Sequence, residues 1–462
     1  MLNAEQTKRQ KTNDEKMAKT MKNDEKARRH AMEDPSRSFF HLFRFFPRLF
    51  SRFLRFITGE RKKAAALFLS LLMMAIVSSP PVQSALRLPL HMRMTPGQRI
   101  QLPSGITCVL SSQDETLQNT QGVLTAGEVG ETEVSLKLFG LLPLQEMRVQ
   151  VTQTRTLIPG GQAVGVGMQM AGVMVVGVSA GSRAEKHIRP GDTLLKVNGQ
   201  NILGAENLST LVRQSGGQPL SILYMRSGET HTASILPEKD ETGYKLGVWV
   251  RSSTAGVGTL TYYDPETGSY GALGHAVNDS DTGKRFQVHT GKLWQARIVD
   301  VKRGIRGAPG ELKGSFLQEN RVLGDIRKNT LLGVYGQSSP ISNPLYQQGL
   351  PVGYQSSVHT GKAQILSSVD PEGVKSYDVE IVEVTRQKSA APKSFVIRVT
   401  DEELIRKTGG IVQGMSGSPI IQDGCIIGAV THVFVDEPLM GYGLYIEWML
   451  EESDTLSADR AA

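Results

Sequence analysis

A serine set between glycines can act as a nucleophile if the glycines let neighbouring N–H groups turn toward its oxygen. Gly414-Met415-Ser416-Gly417-Ser418-Pro419 has that make-up and lies between two apolar, β-branched runs, where a tight strand-to-strand turn is expected. Glycine on both sides permits φ > 0 and lets N–H groups turn toward the space beside the serine oxygen, as an oxyanion hole requires. An ordinary Gly-Ser turn has the same composition, so the serine needs partners: a base, a carboxylate to orient the base, and two N–H donors. The candidate base is His275 in Gly274-His275-Ala276-Val277, since a histidine after a glycine at a strand end is presented by a rigid scaffold. Among the other histidines, His289 and His359 belong to an internal echo and read as repeated structural residues. His432 follows the serine closely along the same strand. Spacing leaves Asp401, Asp378, Asp325 and Asp300 all open as the orienting acid. Asp401, in Thr400-Asp401-Glu402-Glu403, equally has the pattern of a helix N-cap.

These residues need strands to hold them. Asp264-Pro265-Glu266-Thr267-Gly268 between two strand-like runs reads as a hairpin that delivers His275. The echo sets Val288-His289-Thr290-Gly291-Lys292 against Val358-His359-Thr360-Gly361-Lys362, 70 residues later. A duplicated β unit would place His275 in one half and Ser416 in the other, with the cleft between them. The 48 glycines and 6% aromatic content agree with many short strands and tight turns.

Upstream, Val164-Gly165-Val166-Gly167-Met168 precedes a strand-like run at Gly172 to Val178. Pro190-Gly191-Asp192 and Val197-Asn198-Gly199 come next. This pattern resembles a PDZ domain over residues 154–240. A glycine-rich loop at Val164, Gly165 and Val166 would offer N–H groups to a peptide carboxylate, and the adjoining strand edge would accept the peptide as a further strand. A helix is expected near Leu208 to Gln214. Residues 86–152 read as a β-rich spacer region without a chemical motif.

Residues 1–63 hold 17 Lys+Arg against 8 Asp+Glu, leaving 35 against 37 in the rest. The net charge of +7 therefore belongs to a basic cytoplasmic arm, and the globular part gives nucleic-acid binding no support. Eight phenylalanines alternating with arginines between Phe39 and Ile57 suit an anionic membrane surface. The apolar run Ala64 to Val77, within a segment at 64–79, is short for a span and has the length of a signal h-region or anchor. The chain beyond residue 79 is expected outside the cytoplasm. Cys108 and Cys425, far apart, provide neither a disulfide framework nor a zinc site, and no metal or cofactor is expected.

The serine turn is similar to that of chymotrypsin-like proteases. The order of membrane segment, PDZ module, Gly-His-Ala-Val and the run Thr408 to Ile421 resembles the stage IV sporulation protein B peptidase family. That resemblance implies a mainly β chain ending in a chymotrypsin-like double β-barrel peptidase domain over residues 241–452. It places the triad on Ser416, His275 and Asp401, and the oxyanion hole on the N–H groups of Gly414 and Ser416. It further implies a serine endopeptidase exported across or anchored in the forespore inner membrane. Such a protein cleaves itself and a membrane-bound regulator of an intramembrane protease, leading to activation of a late sigma factor. Met415 stands where the chymotrypsin-like turn commonly has an aspartate that pairs with a new amino terminus, so control is expected from the PDZ module.

Overall fold

Alternating β-branched runs broken by glycine turns form strands that pair far along the chain. The computed structural model describes residues 60–86, 88–110, 115–315 and 321–458. The arm and its aromatic–arginine stretch lie outside the described residues. Two units are distinguished. The smaller takes the chain up to Leu86 with Pro103–Cys108 and Ser135–Gln145. In it, the helix Glu60–Val77 is followed by Pro80–Leu86, and the pair is bent by 61°. Leu67, Phe68, Leu71 and Met74 of the first helix are exposed. No single described helix is long and apolar enough to cross a membrane, whereas the bent pair passes together by length and composition.

The larger unit holds the remaining residues. In its N-terminal part His91–Met94 pairs in parallel with Arg148–Val151, and Arg99–Gln101, Val123–Ala126 and Leu117–Thr120 form an antiparallel sheet. Ser356 Oγ donates to the Arg93 carbonyl at 2.7 Å, and Gln98 Nε2 donates to Ser356 at 2.9 Å. This part is thus docked on the C-terminal half of the chain.

After β1 (Thr156–Pro159), strand β2 (Ala163–Val178) serves two bodies in succession. Its second half pairs with β3 (Thr193–Val197). Helix α1 (Ala205–Gln214) and the hairpin β4 (Leu220–Arg226) and β5 (Glu229–Ile235) complete a small α+β module. The Pro-Gly-Asp turn has a structural role there. Asp192, 1% exposed, accepts the Arg189 N–H at 2.8 Å and the Arg226 guanidinium at 2.6 Å.

Strand β6 (Val248–Tyr263) then returns antiparallel along the whole of β2. A hairpin leads to β7 (Ser269–Ala272) as its turn residues require. Next come β8 (Thr290–Gln295), the hairpin β9 (Arg297–Lys302) and β10 (Glu311–Ser315), then β11 (Val322–Asp325) and β12 (Gly333–Gln337). The first half of β2 pairs with β6 on one edge and β8 on the other. With β7, β12 and β11 these make a six-stranded ring, closed by a bridge between Gly324 and Ser338. Val164, Val166, Met168, Leu260, Phe286 and Leu293 fill it.

The second ring is a closed barrel of β13 (Gly361–Ser367), β14 (Lys375–Val384), β15 (Phe395–Val399), β16 (Pro419–Gln422), β17 (Cys425–Phe434) and β18 (Glu437–Tyr445). Helix α2 (Glu402–Thr408) precedes β16, and α3 (Ile446–Ala458) follows β18. The two copies of the echo enter β8 and β13, one in each ring. The chain is therefore mainly β, with two six-stranded barrels, and the first barrel takes a strand from before the PDZ-like module.

Candidate active site

One residue of the first barrel grips the serine turn of the second. Thr259 on β6 donates its hydroxyl to the Gly414 carbonyl at 2.7 Å and its N–H to the Ser416 carbonyl at 3.1 Å. Its own carbonyl accepts the Leu273 N–H at 3.2 Å, two residues before His275. At 1% exposure, Thr259 keeps these bonds away from competing water.

The turn itself demands its glycines. Gly417 has φ +97°, and a Cβ there would stand 2.1 Å from the Thr259 carbonyl oxygen and 2.5 Å from the Leu273 nitrogen. The Gln413 carbonyl accepts the Leu312 N–H at 2.8 Å, and the Met415 carbonyl accepts the Ser418 N–H at 3.0 Å. In a trans peptide the N–H points opposite its C=O, so these bonds fix the directions of the Gly414 and Ser416 N–H groups. Neither N–H donates to another described residue. Two held, unused donors beside a hydroxyl are what oxyanion binding needs. Met415 is fully buried in the second barrel's core, where an aspartate would be an unpaired buried charge.

His275 follows Leu273 and Gly274, both at positive φ, which swing the chain sharply off β7. Its Nδ1 lies 2.9 Å from the Ala276 carbonyl. A carbonyl can only accept, so Nδ1 carries the proton and Nε2 presents its lone pair, the tautomer a general base needs. Burial pushes the imidazole pKa below the ordinary 6.5, against the opposing pull of the Ala276 bond. The ring is therefore neutral at pH 7. The Ser416 hydroxyl donates to the Thr431 carbonyl at 2.7 Å in this structure, a bond it must give up to donate to His275. The His432 ring, exposed on β17, stands 5.3 Å from that of His275.

Asp401 is not on the imidazole. Its Oδ1 accepts the Leu404 N–H at 2.8 Å as the N-cap of α2, and its Oδ2 faces the Asp378 N–H at 3.4 Å. The cap pattern in Thr400-Asp401-Glu402-Glu403 is the one the fold uses. The other acids are engaged too: Asp378 with Gln364, Asp325 with Arg327 and the Gln337 N–H, and Asp300 with Lys313. Burial lowers the His275 pKa against the pull of the Ala276 carbonyl. A backbone carbonyl thus holds the ring where a carboxylate was expected. Neither this nor Thr259 has a signature in the sequence, since any residue supplies a carbonyl and threonine is common in strands.

Val164, Gly165 and Val166 are not a peptide-binding loop. They lie inside β2, paired with Gly258, Val257 and Gly256 on one side and with Gln295, Trp294 and Leu293 on the other, and are buried in the first barrel. The strand edge of the PDZ-like module is also taken. Val248 to Arg251 of β6 pair with Val178 to Met174, and Val248 and Val250 pack on the core that holds Leu208 and Val212 of α1. Arg251 continues to the buried Asp279 carboxylate, four residues after His275, and to Asp281 at 2.6 Å. Lys284 Nζ, in the same loop, donates to the Gly191 carbonyl at 2.9 Å.

Residues 242–450 match the family model of SpoIVB peptidase S55, and residues 174–226 match that of a PDZ domain. The chain carries a serine-type peptidase domain together with a PDZ domain. Among solved structures it is similar to the active form of the Rv3671c protease from M. tuberculosis, at 14% identity and a TM-score of 0.23, covering 43% of this chain and 72% of that one. It is also similar to the PDZ domain of an SdrC-like protein from Listeria monocytogenes, at 19% identity and a TM-score of 0.17, covering 18% and 88%. Over 66 residues it is 42% identical to a Neisseria meningitidis protein provisionally named a zinc metalloprotease, a match that spans 14% of this chain and 15% of that relative.

Proposed function

We propose that this chain is a serine endopeptidase in which Ser416 attacks the peptide carbonyl and His275 takes its proton through Nε2. The Gly414 and Ser416 N–H groups receive the developing oxyanion. The Ala276 carbonyl, in place of a carboxylate, fixes the tautomer. The observation that carries this reading is the grip of Thr259, which sets the serine turn beside the turn that leads into His275. Rotation of the Ser416 side chain from the Thr431 carbonyl to His275 Nε2 is the step that readies the site. His275 then returns the proton to the leaving amine, and water hydrolyses the acyl-enzyme by the same route.

The kind of peptidase domain the chain carries supports a biological role as part of the same proposal. The substrates are the chain itself and a membrane-bound regulator of an intramembrane protease, cut outside the cytoplasm during sporulation, with the PDZ domain governing recognition of both. The apolar bent helix pair before residue 87 supports placement at a membrane. The test is labelling of the full chain with a fluorophosphonate probe, joined to mass spectrometry of its amino terminus. Labelling and a trimmed terminus that both vanish in Ser416→Ala are expected. Labelling that survives the substitution would refute Ser416 as nucleophile. Absence of labelling in the parent protein would favour a peptide-binding scaffold with an inactive barrel.

A further inference from the structure

We propose that His275 and His432 together form a site for a divalent transition-metal ion of the zinc type, and that an ion bound there shuts the peptidase off. The two rings stand 5.3 Å apart, with 42° between their planes. Two imidazoles that ligate one tetrahedral zinc, with Zn–N of about 2.0–2.1 Å, set their ring centroids roughly 5 Å apart. The separation in this fold is therefore the one a shared ion requires. An exposed side chain changes rotamer within nanoseconds, so His432 can aim a ring nitrogen at the ion without any movement of β17.

His275 is prepared as a ligand in a second way. Ligating histidines almost always donate their other ring N–H to a carbonyl or carboxylate, which fixes the tautomer and aims the lone pair at the metal. Nδ1 of His275 makes that bond to the Ala276 carbonyl at 2.9 Å. Its Nε2 has no hydrogen-bond partner among the described residues, and the Ser416 hydroxyl is engaged with the Thr431 carbonyl. Nε2 is also not among the buried polar atoms that lack a partner, so it keeps surface that solvent reaches. Among the described residues no third histidine, cysteine or carboxylate joins the pair. Water fills the remaining positions, and the ion binds reversibly, unlike a structural zinc held by four side chains. Imidazole suits zinc and its neighbours, whereas magnesium and calcium take oxygen ligands. An ion on Nε2 occupies the lone pair that must receive the Ser416 proton, so bound metal and catalysis exclude each other. The inhibition rests on the reading of His275 as base; the binding does not.

Two measurements on the full chain separate these. The first follows fluorophosphonate labelling at neutral pH with zinc chloride added and then removed by EDTA. Zinc is expected to stop labelling at submillimolar concentration, EDTA to restore it, and magnesium chloride to have no effect. His432→Ala is expected to label within a fewfold of the parent rate without metal. It is expected to need at least about tenfold more zinc for inhibition, since even outer partners of a metal ligand are worth about 10–100-fold in affinity. The second is calorimetric titration of zinc chloride into the Ser416→Ala chain, which has no nucleophile. Adding His432→Ala to it is expected to remove one bound ion. His432→Gln repeats both measurements with a side chain closer in size. Unchanged zinc sensitivity in both His432 variants, equal inhibition by zinc and magnesium, or zinc binding to the Ser416→Ala chain that neither variant reduces would overturn the inference. Absence of labelling in the metal-free parent, with His432-dependent zinc binding intact, would refute the peptidase reading while supporting the site.

Discussion

Replacing Thr259 with valine removes one hydroxyl and almost nothing else. The side chain keeps its shape inside the barrel, and the backbone bonds from Thr259 to Ser416 and Leu273 remain. The Gly414 carbonyl, which accepts that hydroxyl at 2.7 Å, is left without this donor in a shielded position. Losing such a bond is worth about 1–3 kcal/mol. Gly414 sits at φ +96°, a region glycine occupies without a side chain to restrain it, so the slack enters the turn that carries the oxyanion donors. Complete loss of one such donor lowers kcat by about 10²–10³. A loosened donor is expected to lower it by about ten- to hundredfold, with KM nearly unchanged, because the bond matters to the transition state more than to substrate docking. Steady-state hydrolysis of a small ester and of a peptide measures this. Thr259→Ser, which restores the hydroxyl, is expected to recover most of the rate. A Thr259→Val enzyme with the parent kcat, or a serine variant as slow as the valine one, would refute the argument that this bond aligns the site.

Two further outcomes are expected. The base must be neutral to accept a proton, and burial lowers the pKa of His275, so the acid limb of kcat/KM is expected below pH 6.5; a limb above 6.5, measured on the same ester, would point to a carboxylate partner. Asp401→Ala is expected to cost about 1 kcal/mol of stability in denaturant unfolding through loss of the helix cap, while kcat stays within a fewfold of the parent; a fall in kcat of the order of 10⁴ would return Asp401 to the triad.

What the sequence made legible was local. Glycines around Ser416, the hairpin before His275, the end of the apolar run at Val77 and a helix near Leu208 to Gln214 all rest on turn chemistry or short-range periodicity, and the structure has each of them, the helix starting at Ala205. The cap at Asp401 was written in its four-residue pattern. What was hidden depended on partners far along the chain. Val164 to Val166 have the glycine content of a binding loop, and only pairing with residues 256–258 and 293–295 makes them a barrel strand. The same non-local pairing lets β2 and β6 each serve both the PDZ-like module and the first barrel. Thr259 is one threonine in a β-branched strand, and its importance comes from a turn 155 residues away. The acid was hidden for a different reason: the group that holds His275 belongs to the backbone.

Strand β6 gives the PDZ groove and the peptidase site a shared free-energy account. A peptide seeking the groove competes with Val248 to Arg251, a segment already in place and tethered at both ends. Its apparent affinity is therefore its intrinsic affinity multiplied by the fraction of molecules in which that segment has let go. Further along the same strand lies Thr259, which holds the serine turn, so release of the Val248 to Arg251 segment would be linked to that turn. Linkage is reciprocal: an inhibitor that locks the turn shut must weaken a groove ligand by the same factor by which that ligand weakens the inhibitor. A groove built this way would work less as a receptor for the tightest peptide than as a balance that weighs each peptide against the chain's own strand.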